Sequence, residues 1–341
     1  MTIGPRGEPD SMLAAVAEEA GGPIRVRSVA RPHASAGSVL VRIHASGVNP
    51  LDTKIHAGAA AHARQPLPAI LGLDLAGVVE SVGSGVERFR AGDEVYGMTG
   101  GVGGVPGTLA QFAAVDAALL ALKPANLSMR ESAALPLVFI TAWEGLVDRA
   151  GVRSHQTVLI HGGAGGIGSI AVQLAKSLDA EVFATGSAPQ RELIEALGAT
   201  FIDHTSSGVT DYVERCTKGV GFDVIFDTVG GATLDASFAA VARFGHVVSA
   251  LGWGTHALGP LSFRAASYSG VFTLLPLLTS QGRAHHGDIL RHASRLVEAG
   301  RVKPRLDPRH FTLESVADAY ALLTTRAARG KLVVDVVEPS R

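Results

Sequence analysis

The first half of the chain alternates in short beats. Apolar runs at 12–16, 24–29 and 39–45, then 75–82, 94–96 and 109–115, are broken by Gly, Pro and Ser, and Val39, Val41 and Ile43 recur at every second position. A period of two with turn residues between runs predicts half-buried strands, here a mostly β region with partly open barrel character. After 128 the rhythm changes. Ser128 followed by Glu131 predicts a capped helix start, and Pro136 predicts an interruption before the helix resumes over 140–149. Strand-like runs at 158–160, 181–185, 201–203, 223–227 and 246–250 then alternate with helical patterns at 166–178, 190–197, 210–217 and 234–241. That order predicts a doubly wound parallel sheet ending near residue 265. Beyond 268 the alternation stops: helices are expected at 285–299 and 313–324 and a last β-run at 331–337. With the parallel sheet already complete, this tail is expected to pack back on the first region, making that region discontinuous.

The 341-residue length fits two domains, and 47% apolar content supports a well-buried core. The expected division is a flexible extension at 1–11, a β-rich domain from 12–127 and 266–341, and a parallel-sheet domain at 128–265. A formal charge of −1 gives no field to attract nucleic acid or an anionic membrane. Cys216 is the single cysteine, so an internal disulfide framework and a multi-cysteine zinc site are excluded. Residues 1–10 have no apolar core of a secretory signal, and the apolar stretch 132–147 contains Pro136 and Glu144 and is too short to span a bilayer. These features point to a cytoplasmic, enzyme-sized protein.

The chemistry begins at Thr157-Val-Leu-Ile-His161, which runs into Gly162-Gly163-Ala164-Gly165-Gly166-Ile167-Gly168 and then a helical pattern. Strand, glycine turn and helix form the context in which G-x-G-x-x-G acts as a pyrophosphate cradle, because glycines admit a close backbone approach and the helix N-terminus favours anions. A carboxylate about twenty residues later ordinarily holds the ribose 2′-hydroxyl of NAD. Here the second strand ends in Thr185-Gly186-Ser187, and no acid stands between Val182 and Arg191. Ser187 and Arg191 supply a hydroxyl donor and a cation for a 2′-phosphate, which favours NADPH.

Further landmarks follow in order: Ala45-Ser46-Gly47-Val48-Asn49-Pro50-Leu51-Asp52, Leu71-Gly72-Leu73-Asp74-Leu75-Ala76-Gly77, Ala91-Gly92-Asp93, Leu135-Pro136, Thr141-Ala142-Trp143 and Gly330-Lys331-Leu332-Val333. Together with the glycine motif they resemble the zinc-independent quinone oxidoreductase branch of the medium-chain dehydrogenase/reductase superfamily, over nearly the whole chain from Met12. The resemblance implies a GroES-like catalytic domain from both chain ends and a Rossmann domain between them. It implies phosphates at Gly163, Gly165, Gly166, Ile167 and Gly168, and a nicotinamide edged by Thr141, Leu251, Gly252 and Phe272. It further implies a 2′-phosphate near Ser187, Arg191, His204 and Arg326, with Lys331 among the cofactor contacts. Zinc-dependent relatives carry ligands where this chain has Gly47-Val48-Asn49-Pro50 and Leu73-Asp74, so no metal is expected.

Without a Lewis acid, an already electrophilic acceptor suits the chemistry: a quinone or an α,β-unsaturated carbonyl. Asn49 and Lys54 are the candidate donors to a developing enolate oxygen. Each has a plainer reading, Asn49 as a turn cap and Lys54 as a solvated surface lysine. Asp52, Phe139, Trp253 and Tyr268 are candidate pocket residues, with Asp52 equally readable as a helix cap and the aromatics as core. The resemblance leaves a pathway-specific enoyl reductase and a non-catalytic, crystallin-like NADPH-binding protein as alternatives. It also implies a homodimer, expected through the sheet edge near 244–251.

Overall fold

The structure, a computed structural model, describes residues 11–337; the extension expected at 1–11 lies outside them except for Ser11, which begins the first strand. The chain divides into two compact units. The first comprises the chain up to Leu137, with Leu274–Ser294 and the stretch from Pro304 on; the second comprises Val138–Thr273 and Arg295–Lys303.

The first unit is built from β1 (Ser11–Ala17), β2 (Ile24–Ala30), β3 (Ser38–Val48), β4 (Ala69–Ile70), β5 (Asp74–Val82), β6 (Glu94–Met98), β7 (Phe112–Asp116) and β8 (Leu120–Leu122). Between β3 and β4 lies helix α1 (Pro50–His56), and α2 (Met129–Ala133) follows β8. The Ser128–Glu131 box forms as expected: Ser128 Oγ accepts the Glu131 N–H at 3.2 Å and Glu131 Oε2 accepts the Ser128 N–H at 2.9 Å. The long strands are buried almost continuously rather than in alternation: Val39, Val41, Ile43, Leu75 and Val95 are sealed from solvent, and so are Leu40 and Ala76 between them.

Helix α3 (Pro136–Trp143) begins at the end of the first unit and runs on into the second. The expected helix break is present, between Ala133 and Pro136, but the helix resumes at Pro136 itself rather than at 140, where the missing N–H of a first-turn proline would have no partner anyway. A six-residue π turn follows at Glu144–Arg149. Then come β9 (Thr157–His161), α4 (Gly166–Ser177), β10 (Glu181–Gly186), α5 (Arg191–Ala196), β11 (Thr200–Asp203), α6 (Val209–Thr217), β12 (Phe222–Asp227), α7 (Ala232–Ala240), β13 (Val241–Ser249), α8 (Gly259–Ser262) and β14 (Ser267–Gly270). The six strands are all parallel, in the order β11-β10-β9-β12-β13-β14. This is the doubly wound order that reverses beside β9. Leu159, Phe183, Ile202, Phe222 and Phe238 fill its core.

Two expectations about this sheet need correction. It does not end near 265, because Ser267–Gly270 adds a sixth strand alongside β13. Consequently β13 is not an edge: residues 244–249 lie inside the sheet, and the open edges belong to β11 and β14.

Helices α9 (Leu275–Thr279) and α10 (Arg283–Glu298) follow, and then β15 (Phe311–Thr312), α11 (Val316–Thr324) and β16 (Leu332–Asp335). The tail rejoins the first unit as its sequence suggested: β16 pairs antiparallel with β3, Leu332 opposite Val48. The result is a seven-stranded sheet ordered β15-β16-β3-β5-β6-β8, with β7 also on β3. Among the described residues no helix is long and apolar enough to cross a membrane.

Candidate cofactor cradle and active site

In the parallel-sheet unit, β9 delivers the chain to Gly162 at φ +74°, a left-handed conformation that glycine adopts without strain. The turn is too tight for side chains. A Cβ on Gly168 would lie 2.1 Å from the Gly162 carbonyl oxygen, and one on Gly163 would lie 2.6 Å from Ala184 Cβ. Gly165 is the N-cap of the twelve-residue α4, with Gly166, half-buried Ile167 and Gly168 in its first turn, where helical N–H groups lack intrahelical acceptors. A cradle emptied of side chains at the head of a helix fits the pyrophosphate of a nicotinamide dinucleotide.

Ser187, Arg191 and His204 collect at the neighbouring strand ends. Ser187 caps a short turn after β10, and the His204 N–H donates to the Gly186 carbonyl at 3.2 Å. Arg191 is exposed, reaches Glu195 at 3.3 Å and lies over the Phe201 ring. Arg326 is exposed on the first unit just after α11.

In the same unit Trp253 meets Phe272 and Gly252 meets Tyr268 of β14, while Leu251 lies against Gly230. The rings of Trp253 and Phe272 meet edge to face at 6.3 Å, and the Tyr268 hydroxyl would lie 2.1 Å from a Gly252 Cβ. Trp253 is 53% exposed, so this cluster presents an apolar surface. Thr141 and Phe139 on α3 are buried instead, Phe139 fully and stacked on Trp143.

Sequence reading missed the polar groups beneath the cradle. His161, Thr185, Asp227 and Ser249 are each at most 3% exposed at the strand ends. His161 Nδ1 lies 3.2 Å from Thr185 Oγ1. Asp227 accepts from the Val229 and Gly230 N–H groups and from Ser249 Oγ at 2.8 Å. Burial holds the imidazole of His161 neutral, its pKa pushed down to about 4 against the opposing pull of Asp227. The signal available was a polar residue closing each apolar run, as in Val-Leu-Ile-His161 and Val-Ile-Phe-Asp227.

In the first unit, Asn49 and Lys54 part company. Lys54 is exposed on α1. Asn49 occupies the N-cap of that helix, is fully enclosed, and makes no side-chain capping hydrogen bond. Its Nδ2 donates to Asp74 Oδ2 at 2.9 Å, and its Oδ1 accepts from the Lys331 ammonium, which also donates to the Val48 carbonyl at 3.1 Å. Asp52 takes over the capping: its Oδ2 accepts the Asn49 N–H at 2.7 Å. Asp52 is thus sealed within the fold at 1% exposure and lines no open surface, which corrects its assignment to a pocket. Lys331, expected at the cofactor, spends its ammonium on Val48 and Asn49. Asp74, noticed in the sequence only as a landmark, also accepts the Leu137 N–H at 3.0 Å.

Desolvation dominates these carboxyl groups. It raises Asp52 to about 8 and Asp74 to about 6, Lys331 and the Asn49 amide holding the latter lower. The same burial lowers the pKa of Lys331.

Among the described residues no three His, Cys, Asp or Glu side chains converge in a way that could hold a metal ion.

Comparison with known proteins agrees with the architecture. Residues 35–125 match the alcohol dehydrogenase GroES-like domain, and residues 197–334 match the zinc-binding dehydrogenase family. The chain is 38% identical over 315 residues to a 2-methylene-furan-3-one reductase of Solanum lycopersicum, covering 90% of this chain and 74% of that protein. It is 36% identical over 311 residues to the chloroplastic NADPH-dependent alkenal/one oxidoreductase of Arabidopsis thaliana, covering 89% and 73%. A crystal structure of an alcohol dehydrogenase superfamily protein from Novosphingobium aromaticivorans superposes with a TM-score of 0.94 at 58% identity, covering 96% of this chain and all of that one. With this fold, a side-chain-free dinucleotide cradle and relatives matched across both units, the chain belongs to the medium-chain dehydrogenase/reductase superfamily of oxidoreductases.

Proposed function

We propose that this protein is an NADPH-dependent, zinc-independent reductase of α,β-unsaturated carbonyl compounds or quinones. The observation that carries the reading is the glycine cradle on α4 followed by β10 ending without a carboxylate, in a chain whose relatives across both units are named as alkenal/one and furanone reductases. Ser187, Arg191 and His204 stand where a 2′-phosphate needs donors and positive charge. NADPH, when bound, supplies the hydride.

The chain's own task is to orient the acceptor and to answer the negative charge that grows on its carbonyl oxygen. The Lys54 ammonium, exposed on α1, is the proposed donor to that oxygen; Asn49, whose amide is already engaged, supports the helix from beneath. The apolar faces of Trp253, Tyr268 and Phe272 are the proposed acceptor walls. We further propose a homodimer, joined through the open β14 edge rather than β13; light scattering of the purified protein reads its mass directly.

The deciding experiment follows NADPH and NADH oxidation with 2-alkenals, 2-cyclohexenone, p-benzoquinone and an enoyl thioester. The expected result is turnover of the enones or the quinone with a clear preference for NADPH. Preference for NADH overturns the cofactor reading. Turnover confined to the thioester replaces the acceptor reading with a biosynthetic enoyl reductase, and tight NADPH binding with no turnover replaces it with a binding protein.

A further inference from the structure

An asparagine at a helix N-cap normally spends its side chain on the helix. Asn49 does not. Its carboxamide points inward and is held at both ends by opposite charges, the Lys331 ammonium on Oδ1 and the Asp74 carboxylate on Nδ2. This arrangement admits one orientation only. Turning the amide over sets Nδ2 against the ammonium and Oδ1 against the carboxylate, replacing two charge-assisted hydrogen bonds by two repulsive contacts. The two jaws come from separate strands: Asp74 opens β5, with Gly47 of β3 as its register partner, and Lys331 immediately precedes β16. Asp74 is fixed in turn by the Leu137 N–H at 3.0 Å and by the Thr108 hydroxyl, which donates to its carbonyl at 3.0 Å.

Opposite charges drawn from water and separated by an amide are poor value as a stabiliser, because desolvation cancels most of their attraction. Their specific effect is geometric. The Asn49 backbone N–H and C=O both belong to the first turn of α1, bonded to Asp52 Oδ2 and to the Asp52 N–H. We propose that Asp74 and Lys331 are positioning residues: by gripping the Asn49 carboxamide from both ends they fix the first turn of α1 and, with it, the place of the Lys54 ammonium. This rests on the reductase reading for its kinetic consequence, though not for the grip itself. The other titratable groups around it are Asp52 on α1 and the Tyr320 hydroxyl of α11, whose pKa the nearby Asp52 helps to raise; the His56 ring meets that of Tyr320 at 5.9 Å.

The test uses the full chain with Lys331→Met, Asp74→Asn and the double variant, which removes both charges and so avoids stranding one of them in the interior. Each is measured for kcat and KM with 2-cyclohexenone, for KM of NADPH, for melting temperature, and for the Asn49 side-chain amide signals in deuterated, ¹⁵N-labelled protein, assigned through Asn49→Asp. Expected are a fall in kcat of about tenfold or more, an NADPH KM close to wild type, and a double variant that recovers its melting temperature but not its kcat. A double variant that regains kcat together with stability, or a single variant that turns over at the wild-type rate, overturns the proposal. If the wild type reduces no acceptor, the reductase reading fails and the amide signals still decide. A slowly exchanging Asn49 N–H that is lost in the double variant supports the grip, and an Asn49 amide exchanging like those of surface asparagines refutes it.

Discussion

Both units bury titratable groups, and one case in each shifts in the opposite sense to the other. The β-rich unit encloses two carboxyl groups, Asp52 and Asp74, around the Lys331 ammonium; the parallel-sheet unit encloses an imidazole, His161, beside Asp227. Desolvation favours the neutral form in each, and so it moves the pKa values in opposite directions: Asp52 up to about 8, His161 down to about 4. The consequences for stability run to opposite ends of the pH scale. A carboxyl raised in the fold contributes stability that is fully present below its unfolded pKa and is lost as pH rises through about 8. An imidazole lowered in the fold contributes stability that is present above its unfolded pKa and is lost as pH falls through about 4. Asp52 therefore contributes a sensitivity to base and His161 a sensitivity to acid, from a single physical cause.

The substitution expected to disturb this contrast most is Asp52→Asn. The amide oxygen still accepts the Asn49 N–H, and the carboxylate that costs most to form at alkaline pH is gone. The variant should gain stability relative to wild type as pH rises, by about 2 kcal/mol between pH 5 and pH 8. Denaturant unfolding at both pH values, with hydrogen exchange to follow α1 and β16, measures it; a gain independent of pH contradicts the raised Asp52. Next comes His161→Gln, which keeps a polar side chain beside Thr185 but has no proton to take up. Its acid limb should flatten, with about 1 kcal/mol less loss between pH 7 and pH 5 than in wild type, read from melting curves and from exchange in β9 and β10. An unchanged limb assigns the acid sensitivity elsewhere. The smallest effect on stability belongs to the exposed control, Arg191→Ala. Its ion pair with Glu195 is open to water, so stability should stay within about 0.5 kcal/mol, while the KM for NADPH rises several-fold and that for NADH does not move. Equal changes for the two cofactors would separate Arg191 from the 2′-phosphate.

Much of the fold was legible because its signals are local. The period of two in Val39, Val41 and Ile43, the Ser128–Glu131 cap and the strand–glycine–helix run at 157–178 each state their structure within a few residues. What escaped depends on neighbours. Ser267-Tyr-Ser-Gly270 carries no apolar run, because an edge strand pairs on one side only and its residues are largely exposed; its strand character comes from β13 beside it. Pro136 reads equally as a helix breaker or a first-turn residue, and only the placement of α2 and α3 decides. At the site, Lys54 and Lys331 look alike as letters. That one stands in water and the other lies between Val48 and Asn49 is set by β16 pairing with β3, an association no local window contains.

The grip on Asn49 also has a time axis. Its cation lies 282 residues downstream of the amide it holds. At a synthesis rate of about 5–20 residues per second, Lys331 emerges roughly 15–60 s after Asn49. During that interval β9–β14, which occupy one unbroken stretch of chain, are made in full, whereas β3 waits for β16 along one edge. The nascent β-rich sheet must therefore hold Asp52 and Asp74 without their ammonium. A carboxyl group without a counter-charge enters an interior most readily with its proton on, so the ribosome-bound intermediate should collapse more easily in mildly acidic medium than in alkaline medium. The later-made β16 and the Lys331 before it then deliver both the missing hydrogen bonds along β3 and the charge that lets Asp74 release its proton.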